Sequence, residues 1–288
     1  MENKELLDIS NEIKELLSKR RNELDLDFTE DNHKYRMKDL TGTLRDDYPS
    51  VSKVLKLFYD EFPTEEAAFK KSKGDLILKE KLIKEWAEAG LMSTNMGSRV
   101  HYLLEIESVK LFNLNKEVRK PIFECDSNQI KVGDYMVRAG TNYLNLMDER
   151  GAVLIDTEIV LGDPHLGYVG QPDKVWLMKN KEGDGYGLVI TDWKTNKPKN
   201  FLETIFTKKM YPPFNDLPST ALGHYYVQLP FYGKLMMKML QGSKYGNINL
   251  LGCVVVLLKD DGEYEEYRTP KKVVNTILNM DMKKYLIK

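Results

Sequence analysis

The chain has 288 residues, 42% of them hydrophobic, enough to fill the core of one large domain or two small ones. Lysine and arginine total 43 against 44 aspartates and glutamates, a formal net charge of -1, which excludes the bulk basicity of a histone-like DNA coat but not a local basic groove. Two cysteines, Cys125 and Cys253, far apart and in no CxxC, exclude a four-cysteine zinc site or a cysteine-ligated iron–sulfur cluster built from one chain, and they suit a reducing compartment.

Residues 1–23 carry Leu6, Ile9, Ile13, Leu16 and Leu17 at helical spacing between charges. The charged start "MENKELLDIS" and the lack of any apolar run near 18 residues predict no membrane contact and a cytoplasmic protein. "FTEDNHKYRMKDLTG" reads as short extended segments with turns. "YPSVSKVLKLFYDEFP" opens after Pro49 with a serine suited to cap a helix. Residues 64–90 read as a charged helix ending at Gly90, followed by helical "NMGSRVHYLLEIESVKLFN" and a further helix over 127–147. From Ala152 the texture changes. "AVLIDTEIVL", "YVGQPDKVWLMK" and "YGLVITDWKT" are three β-rich runs that predict an antiparallel meander. A looser segment precedes the helical "TALGHYYVQLPFYGKLMMKML". "INLLGCVVVLLK" reads as a central strand buried on both faces, and "DDG" turns it into "EYEEYR" before a last helix. The expected organisation is a helical N-terminal extension over residues 1–92 and a core over residues 93–288.

The strand "GLVITDWKT" begins as core and ends in an acid and a base. On a strand, residues i and i+2 share a face, so Asp192 and Lys194 project together and Trp193 points away. If the preceding strand pairs with it about a turn near Lys181–Gly183, Asp173 falls opposite Asp192 on the same face. Two facing carboxylates repel unless a cation lies between them, and oxygen ligation of this kind suits Mg²⁺, with Mn²⁺ as the alternative ion. A lysine beside such an ion would hold or help deprotonate a water, or stabilise charge on a phosphate.

"GYVGQPDKVW" followed by "VITDWKT" resembles the G-x-x-D … D-x-K core of the PD-(D/E)xK nuclease superfamily. "GSRVHYLLE" resembles the G-[ST]-x-x-H-x-x-x-E helix of its RecB-like exonuclease branch, and "YYVQLPFYGKL" resembles the Q-x-x-x-Y helix of that branch. "YPSVSKVL" is similar to a segment ahead of the core in the mitochondrial genome-maintenance and related phage exonucleases. The four matches, in order, span residues 48–232.

The resemblance implies an α/β fold with a restriction-endonuclease-like αβββαβ core, a mixed central sheet flanked by helices, and metal-dependent hydrolysis of DNA phosphodiesters. It assigns His101, Asp173, Asp192 and the carbonyl of Trp193 to the metal, Lys194 to the attacking water, and Gln228 and Tyr232 to bracing Lys194 or the DNA. Glu105 lies one turn beyond His101, and Glu158 is an outer-shell carboxylate. With two cysteines the chain matches the members that carry no iron–sulfur cluster. Pro230, inside Q-x-x-x-Y, predicts a kink or a helix beginning nearby.

Each residue also has a plainer reading. Asp192 and Lys194 alone would be a solvated strand end, and His101 alone a structural histidine. His33, His165 and His224 are read as structural, "GDGYG" as a hairpin turn, and the methionines of "KLMMKML" as core packing. Lys197, Lys199, Lys208 and Lys209 form either a solvated face or a phosphate-tracking rim. Phe201, Tyr211 and Phe214 either stack on unpaired bases or pack the loop down. The expected function is a metal-dependent DNA exonuclease acting on single-stranded or frayed ends in recombination, repair or replication, with a helicase or recombinase as the class of protein partner. A structure-specific endonuclease on the same core and a non-catalytic DNA-binding protein are the alternatives. The Lys- and Asn-rich composition hints at an AT-rich phage or bacterial genome.

Overall fold

In the computed structural model, residues 2–29, 34–180, 185–203 and 208–286 are described. The chain begins with helix α1 (Glu2–Glu23), whose Leu6, Ile13 and Leu17 are buried, as their spacing requires. Strands β1 (Asp27–Thr29), β2 (Lys34–Lys38) and β3 (Leu44–Arg45) make a small antiparallel sheet. Helix α2 (Val51–Leu55) starts at Ser50, whose hydroxyl accepts from the Lys53 amide at 3.3 Å, so this serine is the expected cap. Then come α3 (Thr64–Lys71), α4 (Leu76–Leu111) and α5 (Ser127–Glu149), the last two capped by Asp75 and by an Asp126–Gln129 capping box.

Strand β4 (Val153–Thr157) leads to a side hairpin of β5 (Leu161–Asp163) and β6 (Tyr168–Gly170), then to β7 (Lys174–Lys179) and β8 (Tyr186–Lys194). The meander predicted over these runs forms, with the side hairpin inserted into it. A short helix α6 (Pro198–Leu202), the long helix α7 (Ala221–Leu240), β9 (Asn249–Leu258), β10 (Tyr264–Arg268), α8 (Lys271–Asn279) and α9 (Lys283–Leu286) complete the chain.

The architecture is α/β. A five-stranded mixed sheet has the order β10-β9-β8-β7-β4, parallel between β8 and β9 and antiparallel elsewhere. Lys174 pairs with Thr191 and Val175 with Ile190, so Asp173 and Asp192 are the next pair in register, as expected from the strand pattern. The centre of the turn expected near Lys181–Gly183 lies outside the described residues.

Strand alternation separates two cores. Val175, Leu177, Leu188, Ile190, Val255 and Leu257 pack with α1, α2, α7 and α8 on one face. Trp176, Val189, Trp193, Val254 and Val256 pack with α4 and α5 on the other. Gly140 lets α5 meet α4 closely, since a Cβ there would lie 2.5 Å from Leu104 Cδ1.

Two expectations about the N-terminal half need correction. The helix expected to stop at Gly90 does not: α4 runs 36 residues through it. The division drawn between residues 92 and 93 falls inside that helix, and α1 and α2 belong to the same core as the sheet. A glycine weakens a helix by only about 1 kcal/mol, less than the flanking helix formers and the packing beyond it supply. Pro230 lies inside α7 rather than at its start. No described helix is long and apolar enough to cross a membrane.

Candidate metal centre

Four chain segments deliver side chains to one end of the sheet. Asp173 immediately precedes β7, Glu158 immediately follows β4, Asp192–Lys194 end β8, and His101 comes from the C-terminal third of α4. Because β7 runs antiparallel to β4 and β8, its beginning and their ends coincide. His101 Nδ1 lies 3.4 Å from Asp173 Oδ1 and 3.8 Å from Glu158 Oε1. One ligand atom from each of His101, Glu158 and Asp173 falls within 4.8 Å of the others, a group that could hold a metal ion. Asp173 Oδ2 accepts from the Trp193 amide at 2.5 Å, which ties β7 to the end of β8 across the site.

Glu158 reaches this group through an unusual backbone. A β-bulge interrupts the β4–β7 register between Leu154 and Asp156, and Glu158 itself has φ of 46°, the left-handed region. For a residue with a Cβ that conformation costs about 1–2 kcal/mol. It is held by the Glu158 amide donating to the Asp173 carbonyl at 3.0 Å, and by Gln171 Nε2 donating to Glu158 Oε2 at 3.1 Å. Strain of this kind, fixed by neighbours, is typical of functional positions.

Charge is concentrated here among side chains that are buried or half-buried. Burial alone would lower the His101 pKa, but the carboxylates of Asp173 and Glu158 outweigh it and push it up to about 10. The imidazolium thus takes the position between carboxylates that a cation would take. Burial would raise Asp173, yet His101, then Lys194 and Lys174, hold it well below the usual carboxylate range. Burial and the neighbouring Asp173 raise both Glu158 and Asp192. Lys194 lies against Asp192 Oδ2 in an ion pair without a well-aligned hydrogen bond, and its ammonium stands 4.4 Å over the Tyr225 ring. Burial opposes its charge, but Asp192 outweighs burial and raises its pKa.

Helix α7 supplies the wall beside this pair. Gln228 Nε2 donates to the Tyr232 hydroxyl at 2.8 Å, so the two expected partners are bonded despite Pro230 between them. Gly170, the second glycine of "GYVGQPD", has no room for a side chain: a Cβ would lie 2.6 Å from Tyr232 Cε1. Ser50, Ser98, His101, Glu158, Gln171 and Tyr232 border a cleft of about 570 Å³.

The remaining expected residues divide. Trp193 meets the group through its amide, while its ring packs edge-on against Tyr143 in the other core at 5.4 Å. Asp192 is held by Lys194, and Glu158, expected as an outer carboxylate, stands with His101 and Asp173 in its place. Lys197 and Lys199 are exposed at α6; Lys208 and Lys209 are exposed, with Lys208 paired to Asp60 at 3.3 Å. Phe201 corrects the base-stacking expectation: it is fully buried against Tyr225 and Tyr267, because α6 folds its apolar side onto α7. Phe214 is likewise buried, edge-on to Phe58 at 5.0 Å, while Tyr211 is exposed and bonded to Asp60. His224 stacks on Tyr59 with centroids 3.7 Å apart, and His33 lies outside the described residues.

Two features escaped the sequence reading. Lys174 is fully buried, donating to Thr157 Oγ1 at 2.6 Å and to the Asp173 carbonyl at 3.2 Å, and burial lowers its pKa. Lys116 bridges Glu105 at 3.2 Å and Asp156 at 3.5 Å and donates to the Thr157 carbonyl. "PDKVW" does place a lysine beside the acid, but strand alternation points it into the opposite core, where a charge is unexpected. Comparison with known families finds none that matches this chain, and comparison with curated proteins finds no match either.

Proposed function

We propose that this chain is a metal-dependent DNA exonuclease of the RecB-like branch of the PD-(D/E)xK superfamily, acting on single-stranded or frayed ends. The single observation that carries the reading is the His101–Glu158–Asp173 group with the Asp192–Lys194 pair on the next strand. The element order α5-β4-β7-β8-α7-β9 supports a restriction-endonuclease-like αβββαβ core.

The donor set fits Mg²⁺ or Mn²⁺: carboxylate oxygens with one imidazole nitrogen, one atom from each within 4.8 Å of the others. His101, Asp173 and Glu158 would hold the ion, with Asp192 as a further ligand once its carboxylate turns from Lys194. A bound ion would polarise the phosphate and make a coordinated water more acidic. His101 must first release its proton, so ion binding and deprotonation are linked. Lys194 keeps its proton beside Asp192, which makes it a donor to the water or to a phosphate oxygen rather than a base. Gln228 occupies the oxygen of Tyr232 with its own N–H, leaving the phenol free to donate towards the cleft. Hydrolysis would form one bond from the water oxygen to phosphorus and break one to the leaving sugar oxygen, which takes up a proton.

The test is digestion of end-labelled linear single strands and matching closed circles with Mg²⁺ or Mn²⁺, by the wild type and by Lys194→Ala. Loss of linear strands with circles spared, abolished by the substitution, is expected. Equal cutting of circles would make the enzyme an endonuclease, and no cutting with either ion would overturn the catalytic reading.

A further inference from the structure

The candidate metal group has a cleft on each side. Beyond the one bordered by Tyr232 and Ser50, a second cleft of about 580 Å³ opens towards α1. Both are bordered by Phe28, Glu105, Arg119, Glu158 and Gln171, so Glu158 and Gln171 stand between them as a shared wall. That volume is within the range of small-ligand sites.

The lining of the second cleft has a pattern that the core does not need. Asn11, Lys14, Ser18 and Arg21 recur at helical spacing and form a polar stripe of α1 along it, next to the buried Ile13 and Leu17. The cleft's acids are largely taken. Asp27 is paired with Arg36 at 2.9 Å, Glu105 and Asp156 with Lys116 at 3.2 and 3.5 Å, and Glu158 faces His101 at 3.8 Å. Glu117 is exposed. The cations are not taken: among the described residues, Lys14, Arg21 and Arg119 have no carboxylate within 4.0 Å. Arg21 Nε is buried without a hydrogen-bond partner, and Lys14 is half-buried, where desolvation lowers its pKa against the pull of Asp156. A partly buried guanidinium with an unmet donor fits an anion that offers two oxygens to its fork, such as a phosphate.

We infer that the second cleft binds the nucleotide released by cleavage, holding its terminal phosphate on Arg21, Lys14 and Arg119. This rests on the nuclease reading for the origin of the ligand. The substrate strand would occupy the Tyr232 side, and the cut nucleotide would pass the Glu158–Gln171 wall to the α1 side.

The probe is thymidine 5′-monophosphate, titrated calorimetrically in EDTA against the wild type, Arg21→Ala, Arg21→Gln and Lys19→Ala, an exposed lysine of α1 that does not border the cleft, with melting curves to show that each variant folds. Loss of one charge-assisted contact is expected to weaken binding about 10-fold or more in both Arg21 variants, with Lys19→Ala left at wild-type affinity. DNA digestion is measured separately. If nuclease activity is absent but binding depends on Arg21, the nuclease reading fails and the nucleotide site stands. If activity is present while binding is undetectable, or is the same in the Arg21 variants as in the wild type, the inference is overturned. Inorganic phosphate binding as tightly as the nucleotide would also overturn it, reducing the site to one for a free anion.

Discussion

The two faces of the sheet receive opposite treatment at the same end. On the α7 face, Asp192 and Lys194 meet beside a cleft, and Lys194 retains some exposure. On the α4/α5 face, Lys174 is sealed completely, bound to a threonine hydroxyl and a carbonyl. A carboxylate raises the pKa of the first lysine; burial lowers that of the second. Adjacent strands thus carry one lysine able to reach a ligand and one able only to fix the β4–β7 junction from which Glu158 and Asp173 project. Sequence proximity to an acid does not distinguish them; the face does.

The sharpest way to break this contrast is Asp173→Ala, which removes the carboxylate common to His101 and the Trp193 amide. No metal-dependent DNA cleavage and no calorimetric Mn²⁺ binding are expected; wild-type Mn²⁺ affinity would sink the metal centre. Next, Lys194→Ala should lower the cleavage rate by about 10²–10³-fold, as for other single donors to developing charge, with the fold retained because Asp192 can take up a proton. Phe201→Ala tests the floor beneath Tyr225 and Lys194. As a buried ring, Phe201 should contribute about 3–5 kcal/mol to stability in urea unfolding, whereas a base-stacking residue would leave the melt unchanged. For Lys174→Ala the loss should be about 2–5 kcal/mol, comparable to truncating a long buried side chain, and an unchanged urea midpoint would erase the distinction between the faces.

The contrast is also sharpened by pH. His101 has a folded pKa of about 10, above its unfolded value of about 6.5, so its stabilisation is complete below pH 6.5 and is lost as pH rises towards 10. His224, half-buried against Tyr59, is lowered to about 4 by burial, so it destabilises the fold as pH falls from 6.5 to 4. Urea midpoints of the metal-free protein should therefore decline on both sides, with His101→Gln flattening only the alkaline side. A His101→Gln profile identical to the wild type would refute the imidazolium. Saturating Mn²⁺, which requires neutral His101, should flatten the same limb.

Much of this was legible in the chain. The alternation of "VITDWKT" gave Asp173 and Asp192 the same face, and pairing about the turn expected near Lys181–Gly183 put them opposite; the register itself comes from the pairing of β7 with β8, where a slip of one residue would expose Leu188 and Ile190. Gln228 and Tyr232, four apart on a helix, met as that spacing requires. Glu158 was visible only as a nearby acid, because the bulge and positive φ that turn it to His101 arise from tertiary pairing with β7. Gly90 reads as a stop in isolation, yet α4 continues through it. Phe201, among lysines, reads as surface until α6 is seen to lay it against Tyr225 and Tyr267.

That uninterrupted α4 has a mechanical consequence. Residues 87–94 are exposed throughout, whereas Val100 and Leu104 are fixed in the core. At 1.5 Å per residue, Ile77 and His101 are roughly 36 Å apart along one stiff rod. The close seat of Leu104 on Gly140 is a fulcrum, with His101 one turn from it and the exposed arm extending farther out on the same side. Any load borne by the outer arm therefore reaches the imidazole as a small, geared-down displacement, so coarse movement far from the sheet becomes fine adjustment beside Asp173.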